Sequence, residues 1–251
     1  MMVGLIGCGN MGTALARGCG RPVLCSDAVP HLAERLAAET GGRAIAANAD
    51  LADQADLVVL CHKPFQLHEV AEQLGGRAKA IASILAGVSL QELEEAYPDT
   101  PVIRLMPNTP VEVGRGVICY AFGRQVSDEL AADVLEHFGR AARLVPVAEK
   151  LMDVAMGLIA VAPAYVALIA EAWIDAGVAR GIPAAQASEL VAEAIAGSAE
   201  LLLARDVDTL AVRRGVTTPG GVTAQGLAAL EDARVRAAFR DALDAVLAHL
   251  D

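Results

Sequence analysis

Through the first 148 positions, short apolar runs alternate with amphipathic stretches. Val3-Gly4-Leu5-Ile6 is an apolar run that stops at Gly7, and a helical pattern follows at once through Thr13 to Arg17. Pro22 to Ser26 reads as a second strand ending at Asp27. His31 to Thr40 reads as a helix closed by Gly41-Gly42. Arg43 to Ala46 is a short third strand. Leu57 to Cys61 is apolar at every position, as expected of a parallel strand buried on both faces, and Lys63-Pro64 breaks it. A helix from Leu67 to Leu74 ends at Gly75-Gly76, and Ala80 to Leu85 is another buried strand, ended by Gly87. Leu90 to Tyr97 is a helix, Val102 to Met106 a strand before Pro107, Val117 to Phe122 a strand, Asp128 to Phe138 a helix and Ala142 to Val147 a last strand. This alternation predicts a doubly wound α/β sheet.

From Glu149 the strand signal stops. Helical patterns cover Leu151 to Gly157, Ala164 to Arg180, Ala184 to Ala204, Thr223 to Glu231 and Val235 to Leu250, with Gly181-Ile182-Pro183 separating two of them. The predicted division is therefore an α/β domain over 1–148 and an all-helical domain over 149–251. These helices are apolar on more than one face, which predicts a dimerisation surface rather than a simple cover for the sheet. Val154 to Ala170 carries no charge and is 17 residues long, at the lower limit for a membrane span. Asp153 and Glu171 close it tightly, Pro163 interrupts it, and it has no basic or aromatic flanks. A buried helical interface is the reading, with no membrane.

Composition narrows the picture. The chain is 55% hydrophobic but only 3% aromatic, so its core must be aliphatic. A net charge of −11 without any basic run argues against nucleic acid as a partner. The cysteines Cys8, Cys19, Cys25, Cys61 and Cys119 have no C-x-x-C spacing, as expected of reduced thiols in a cytoplasmic protein. Met1-Met2 leads directly into the first strand, and no signal peptide is expected.

Candidate chemistry begins at Gly7-Cys8-Gly9-Asn10-Met11-Gly12. The Gly-x-Gly-x-x-Gly spacing falls between a strand and a helix, the context a dinucleotide fingerprint requires. Gly7 permits the turn, Gly9 admits a pyrophosphate and Gly12 lets the helix pack on the strand. The class expected is an N-terminal Rossmann dinucleotide-binding domain. Asp27 lies 20 residues after Gly7 at the end of the second strand, where a carboxylate holds the ribose 2′-hydroxyl of NAD, and it can also cap the helix at His31. No arginine follows in Ala28-Val29-Pro30, so this corner leans towards NADH. Met106-Pro107-Asn108-Thr109-Pro110 is a rigid polar turn at the carboxyl edge of the sheet. Thr217-Thr218-Pro219-Gly220-Gly221-Val222-Thr223, a hydroxyl- and glycine-rich loop entering a helix, is either a nest for a carboxylate or a plain helix cap.

Taken together these segments resemble the pyrroline-5-carboxylate reductase family. The matching stretches are Ile6 to Gly12, Lys63-Pro64, Ser83 to Val88, Arg104 to Pro110, Glu149 to Asp153, Pro163-Ala164-Tyr165, Glu171-Ala172, Asp175 to Val178, Thr218 to Thr223, Leu230-Glu231 and Val235-Arg236, in order along nearly the whole chain. The resemblance implies a Rossmann domain followed by a helical dimerisation domain that interlocks with a second subunit, as a dimer or a ring of dimers. It implies hydride transfer from NADPH or NADH to the C=N of a small cyclic imine carboxylate, giving L-proline. Implied cofactor residues are Gly7, Cys8, Gly9, Asn10, Met11, Gly12, Asp27, Asn48, His62, Lys63, Pro64, Ala86, Gly87, Pro107 and Asn108. The substrate carboxylate falls to Thr218, Gly220, Gly221, Val222 and Thr223, and Thr223 takes the place of the catalytic hydroxyl near the imine nitrogen.

Three departures stand out. Where the family reads Thr-Ala-Leu-Ser-Gly-Ser-Gly-Pro, this chain has Met156-Gly157-Leu158-Ile159-Ala160-Val161-Ala162-Pro163. Hydroxyls and glycines are lost from what reads as a substrate loop, which becomes drier and tighter. His62 replaces the usual aliphatic residue before Lys63; it reads as a solvent-facing loop histidine, with a new polar group of the site as the alternative. The family usually favours NADPH, against the lean of Asp27. A paralogue reducing a less polar cyclic imine and a dinucleotide-binding regulator without reductase activity therefore remain as alternatives. A β-hydroxyacid dehydrogenase would need a catalytic lysine on a helix of the second domain, and no lysine occurs from Leu151 onward.

Overall fold

The computed structural model of the chain describes residues 1–249. Packing divides these into two compact units, Met1–Pro163 and Ala164–His249. The first contains β1 (Val3–Ile6), α1 (Asn10–Cys19), β2 (Leu24–Ser26), α2 (Pro30–Thr40), β3 (Arg43–Ala44), α3 (Asn48–Gln54), β4 (Leu57–Leu60), α4 (Leu67–Leu74), β5 (Ile81–Ser83), α5 (Leu90–Ala96), β6 (Val102–Pro107), β7 (Gly116–Phe122), α6 (Asp128–Phe138), β8 (Ala142–Pro146) and α7 (Met152–Ile159). Short 3₁₀ turns occupy 64–66, 109–113 and 149–151. From the division onward run α8 (Ala162–Val178), α9 (Ala184–Ala204), α10 (Thr209–Val216), α11 (Val222–Asp232) and α12 (Val235–Leu247). The helix expected from Val235 stops at Leu247, and Leu250 lies outside the described residues.

The sheet order is β3-β2-β1-β4-β5-β6-β7-β8. The first six strands are parallel, β7 is antiparallel to β6, and β8 is parallel to β7. The reversal has a simple cause. Only residues 108–115 join β6 to β7, too few for a crossover, so the chain must turn back. Between β7 and β8 the intervening α6 restores a parallel crossover. β1 pairs with β2 on one side and β4 on the other, so connections leave it in opposite directions. That is the switch point where open α/β sheets bind ligands at the carboxyl ends of their strands.

The unbroken apolar run of β4 is explained by two-sided burial. Leu57 and Val59 enter the core with Leu5, Leu15, Leu36 and Ile103, whereas Val58 and Leu60 join Leu51, Leu74, Ile81 and Leu93 on the other face. Each such side chain contributes about 1.5–3 kcal/mol on full burial. The core is aliphatic, as the composition requires. All five cysteines are free, four of them buried, and burial raises the Cys19 thiol to about 11.

The second unit is different in texture. Among its described residues Ala187 and Val191 are the buried hydrophobic ones, and α8, α10, α11 and α12 bury none. Tyr165 and Phe239 meet edge to face at 6.3 Å, and Arg236 grips Glu231 through two hydrogen bonds. Leu168, Trp173 and Leu203 stand more than half exposed. One stretch, Glu149–Val178, is long and apolar enough to cross a membrane by length and composition, with 17% of its most apolar window buried. The helices α3 and α10 escape the sequence pattern, being only seven and eight residues long. For α10 a signal exists, since Asp208 accepts the Ala211 N–H as its cap.

Candidate active site

The glycine loop is built on the end of β1. Gly7 N–H donates to the Ser26 carbonyl at 2.8 Å, and Cys61 N–H to the Ile6 carbonyl at 2.8 Å, tying the loop to both neighbouring strands. Gly7 has φ +103°, and a Cβ there would lie 2.6 Å from the Cys61 carbonyl carbon and oxygen. A Cβ on Gly12 would lie 2.5 Å from the Gly7 carbonyl oxygen. These two glycines are demanded by the protein's own packing. Gly9 is not: its Cβ would meet no heavy atom within 4 Å. The space above it is open, and it is the space a pyrophosphate needs. Gly9 caps α1 without a side-chain bond, so the first-turn N–H groups of α1 face that space along the positive end of the helix dipole. The loop therefore fits a dinucleotide.

A cleft of about 890 Å³ opens from this loop over the switch point. Of the candidate cofactor residues, Gly7, Gly9, Asn10, Met11, Asp27, Asn48, His62 and Lys63 line it. Asp27 holds two backbone groups: Oδ2 accepts the Cys8 N–H at 2.6 Å and Oδ1 accepts the Val29 N–H at 2.8 Å. It does not cap the following helix, because the cap position of α2 is Val29, one residue before Pro30. Asn48 is fixed from both ends. Its Oδ1 accepts the Ser26 hydroxyl at 2.7 Å, and its Nδ2 donates to Gln73 Oε1 at 2.6 Å. Gln73 in turn donates to Glu69 at 3.2 Å. Ala28, Ala46, Ala47, Ala49 and Val70 add a small, apolar wall suited to a flat ring. Glu69 and Gln73 carry no sequence signal, since α4 is remote in sequence from the glycine loop and holds no motif, and Ser26 reads only as the last residue of β2. Lys63 is the lysine or arginine of the lining, against the acidic Asp27 and Glu69.

His62 corrects the solvent-facing reading. It is half-buried in the cleft wall, with Nδ1 2.9 Å from the Lys63 carbonyl and Nε2 buried without a hydrogen-bond partner. Burial lowers its pKa, so the neutral ring is favoured. The remaining candidates do not line this cleft. Cys8 and Gly12 are buried behind it, and Pro64 begins the 3₁₀ turn after β4. Ala86 and Gly87 form an exposed turn after β5, with Gly87 at φ +73°. Pro107 and Asn108 are buried at the end of β6, where Asn108 Oδ1 accepts the Val117 N–H at 2.8 Å. All follow parallel strands and so share the carboxyl edge.

In the second unit, Thr218, Gly220, Gly221, Val222 and Thr223 form one turn leading into α11. Gly221 N–H donates to the Thr218 carbonyl at 3.0 Å, Gly220 has φ +71°, and a Cβ on Gly221 would strike the Thr218 hydroxyl. Val222 is 90% exposed and Thr223 half-buried. Gly221 caps α11 without a side-chain bond, so this helix also presents free N–H groups. The stretch 156–162 is less of a loop than its resemblance implies. α7 continues to Ile159 and α8 starts at Ala162, leaving only Ala160 and Val161 between helices. Alanine and β-branched residues here lack the backbone freedom of glycine, in keeping with so short a break.

The glycine loop, its carboxylate, the cleft at the switch point and the helical region define a Rossmann-type dinucleotide-dependent oxidoreductase. A family model described as NADP oxidoreductase, coenzyme F420-dependent, matches residues 2–87, and one described as pyrroline-5-carboxylate reductase dimerisation matches 149–250. The pyrroline-5-carboxylate reductase of Synechocystis sp. is 36% identical over 98% of this chain and 95% of its own length. That of Methanosarcina acetivorans is 32% identical over 96% and 93%. The structure is similar to that of Plasmodium falciparum pyrroline carboxylate reductase with NADP bound, with TM-score 0.89 and 28% identity over 100% of this chain and 97% of the other. It is similar also to the Streptococcus pyogenes enzyme, with TM-score 0.88 and 29% identity over 100% and 98%. The chain belongs to the pyrroline-5-carboxylate reductase family.

Proposed function

We propose that this protein reduces 1-pyrroline-5-carboxylate to L-proline with NADH, and with NADPH less well, as a cytoplasmic homodimer. The observation that carries the reading is colinearity: relatives with this name match the chain from its glycine loop to its last helix. The division proposed is 1–148 for dinucleotide binding and 149–251 for dimerisation and substrate, in keeping with the dimerisation match starting at 149. Asp27, with Lys63 as the single lysine or arginine of the lining, supports NADH, since a 2′-phosphate would meet a carboxylate without a nearby guanidinium. The reduced nicotinamide, when bound, supplies the hydride. The protein's residues do the rest. Gly7 to Gly12 and the α1 amides hold the pyrophosphate, with Asp27, Asn48, His62, Lys63 and Pro64 beside it. Ala86, Gly87, Pro107 and Asn108 complete the cofactor edge. The turn from Thr218 to Thr223 binds the substrate carboxylate through its backbone N–H groups. The Thr223 hydroxyl hydrogen-bonds the imine nitrogen, which gains a proton as its carbon gains the hydride.

A second reading has one observation in its favour. No side chain from Met156 to Ala162 carries a hydrogen-bonding hydroxyl or amide, which suits a less polar cyclic imine. The test is loss of absorbance of NADH or NADPH with pyrroline-5-carboxylate, and separately with an unsubstituted cyclic imine. Turnover of the carboxylate with NADH as the better cofactor is expected. Cofactor binding without turnover of either imine would overturn the reductase assignment.

A further inference from the structure

Among the described residues Arg104 is the lysine or arginine that is buried, at 3% exposure. It sits inside the sheet on β6, in register with Ser83 of β5 and Ala121 of β7. Its Nη1 donates to Glu149 Oε1 at 2.7 Å and its Nη2 donates to Asp153 Oδ1 at 2.8 Å. The same Glu149 oxygen accepts the N–H of Leu90, the first residue of α5, at 2.9 Å. One carboxylate thus joins segments 45 and 59 residues away in sequence. The turn with Ala86 and Gly87 ends at Leu90. Pro107 and Asn108 lie just beyond Arg104. Glu149 and Asp153 open the 3₁₀ turn and α7, whose far end enters the stretch 156–162. A guanidinium taken this far out of water is sustained only while its charged partners keep their geometry. Such a group therefore resists sliding of any one segment past the others.

We propose that Arg104, Glu149 and Asp153 form a positioning node for the reductase reaction. It locks the 86–90 turn, the end of β6 and α7 into one arrangement, so that the cofactor edge and the 156–162 stretch present a single geometry to the reacting pair. None of the three touches the reacting atoms. The inference rests on the reductase reading for its kinetic arm and on the protein alone for its structural arm.

The variants are Glu149→Gln, which keeps an acceptor for Leu90 but removes the charge, and Arg104→Lys, which cannot make both bonds in the same directions. Leu36→Ala, a core truncation in the opposite cluster, controls for general destabilisation. Hydrogen exchange of the cofactor-free protein should accelerate about tenfold in peptides covering both 84–93 and 152–159 for Glu149→Gln, and not selectively there for Leu36→Ala. With pyrroline-5-carboxylate, kcat per folded molecule should fall about tenfold, with NADH affinity and KM within about twofold, and the isotope effect on kcat from 4-deuterated NADH should rise. The node is overturned if exchange in the two segments matches the Leu36→Ala control, or if kcat per folded molecule is unchanged. It is likewise overturned if the kcat loss is matched by an equal loss of NADH affinity. A wild-type protein that fails to turn over overturns the reductase reading instead, and the exchange comparison still decides whether the node locks the two segments together.

Discussion

Gly7 and Gly9 occupy one motif and answer to different physical demands. Gly9 has φ −73° and ψ −169°, a conformation alanine adopts freely, and open space above it. Gly9→Ala should leave the melting temperature within about 2 °C of wild type and weaken NADH binding about tenfold or more, by fluorescence titration. Gly7→Ala should instead lose about 1–3 kcal/mol of stability in denaturant titration, because its backbone is left-handed and its new methyl meets Cys61. Thr223→Ala removes one neutral hydrogen bond worth about 0.5–1.5 kcal/mol. It should lower kcat/KM up to about tenfold at unchanged NADH affinity, and a much smaller effect in steady-state kinetics would remove Thr223 from its role. His137 makes a prediction about pH. Burial, then repulsion from Arg21, the chain amino terminus and Arg140, pushes it from 6.5 down to about 4. The folded protein keeps this ring neutral where the unfolded chain would protonate it, so stability is complete above pH 6.5 and declines as pH falls towards about 4. Exchanging it as His137→Leu should flatten the pH dependence of the melting temperature by the equivalent of about 3 kcal/mol across that window.

At the scale of elements, pattern reading succeeds where a segment's environment is uniform. β4 is apolar throughout because both its faces are covered, and α2 and α4 are ended by left-handed glycines that stop the helix. It fails for α3, too short to show a period, and at 156–162 it expected a longer loop than the two residues, Ala160 and Val161, that separate α7 from α8. Ala160 and Val161 lie between helices and Ile159 and Ala162 at their ends, so the reversion Ile159→Ser, Ala160→Gly, Val161→Ser, Ala162→Gly alters termini rather than helix interiors. It should cost no more than about 1–2 kcal/mol and lower KM for pyrroline-5-carboxylate by restoring hydroxyls. An unchanged KM in the absorbance assay would mean that this stretch does not govern substrate choice.

The whole molecule carries a large unpartnered apolar surface in its helical region. The hydropathy of Glu149–Val178 alone is equally consistent with a membrane span, but the dimerisation model covering 149–250 identifies this region's role as association of like chains. Trp173, 55% exposed on α8, is a natural anchor for such an interface. Trp173→Glu should weaken the dimer by about 2 kcal/mol or more, roughly thirtyfold in its dissociation constant. Sedimentation at micromolar concentration should then show monomer, while the first unit still binds NADH.

The linear order of residues was enough to determine the class of the first domain, the glycine loop and the helical character of the rest. Those depend on local periodicity, on turn chemistry and on a motif only six residues long. The sequence also placed Asp27 at the carboxyl end of the second strand, although the carboxylate's grip on the Cys8 and Val29 amides could not be read from spacing. The tertiary structure alone decided what depends on distant residues meeting. It turned His62 into the cleft wall, set the Ser26-Asn48-Gln73 chain beside it, reversed β7 because the link from β6 is short, and buried Arg104 against Glu149 and Asp153. A charge is buried only where the fold delivers its partners, and no local pattern records that delivery.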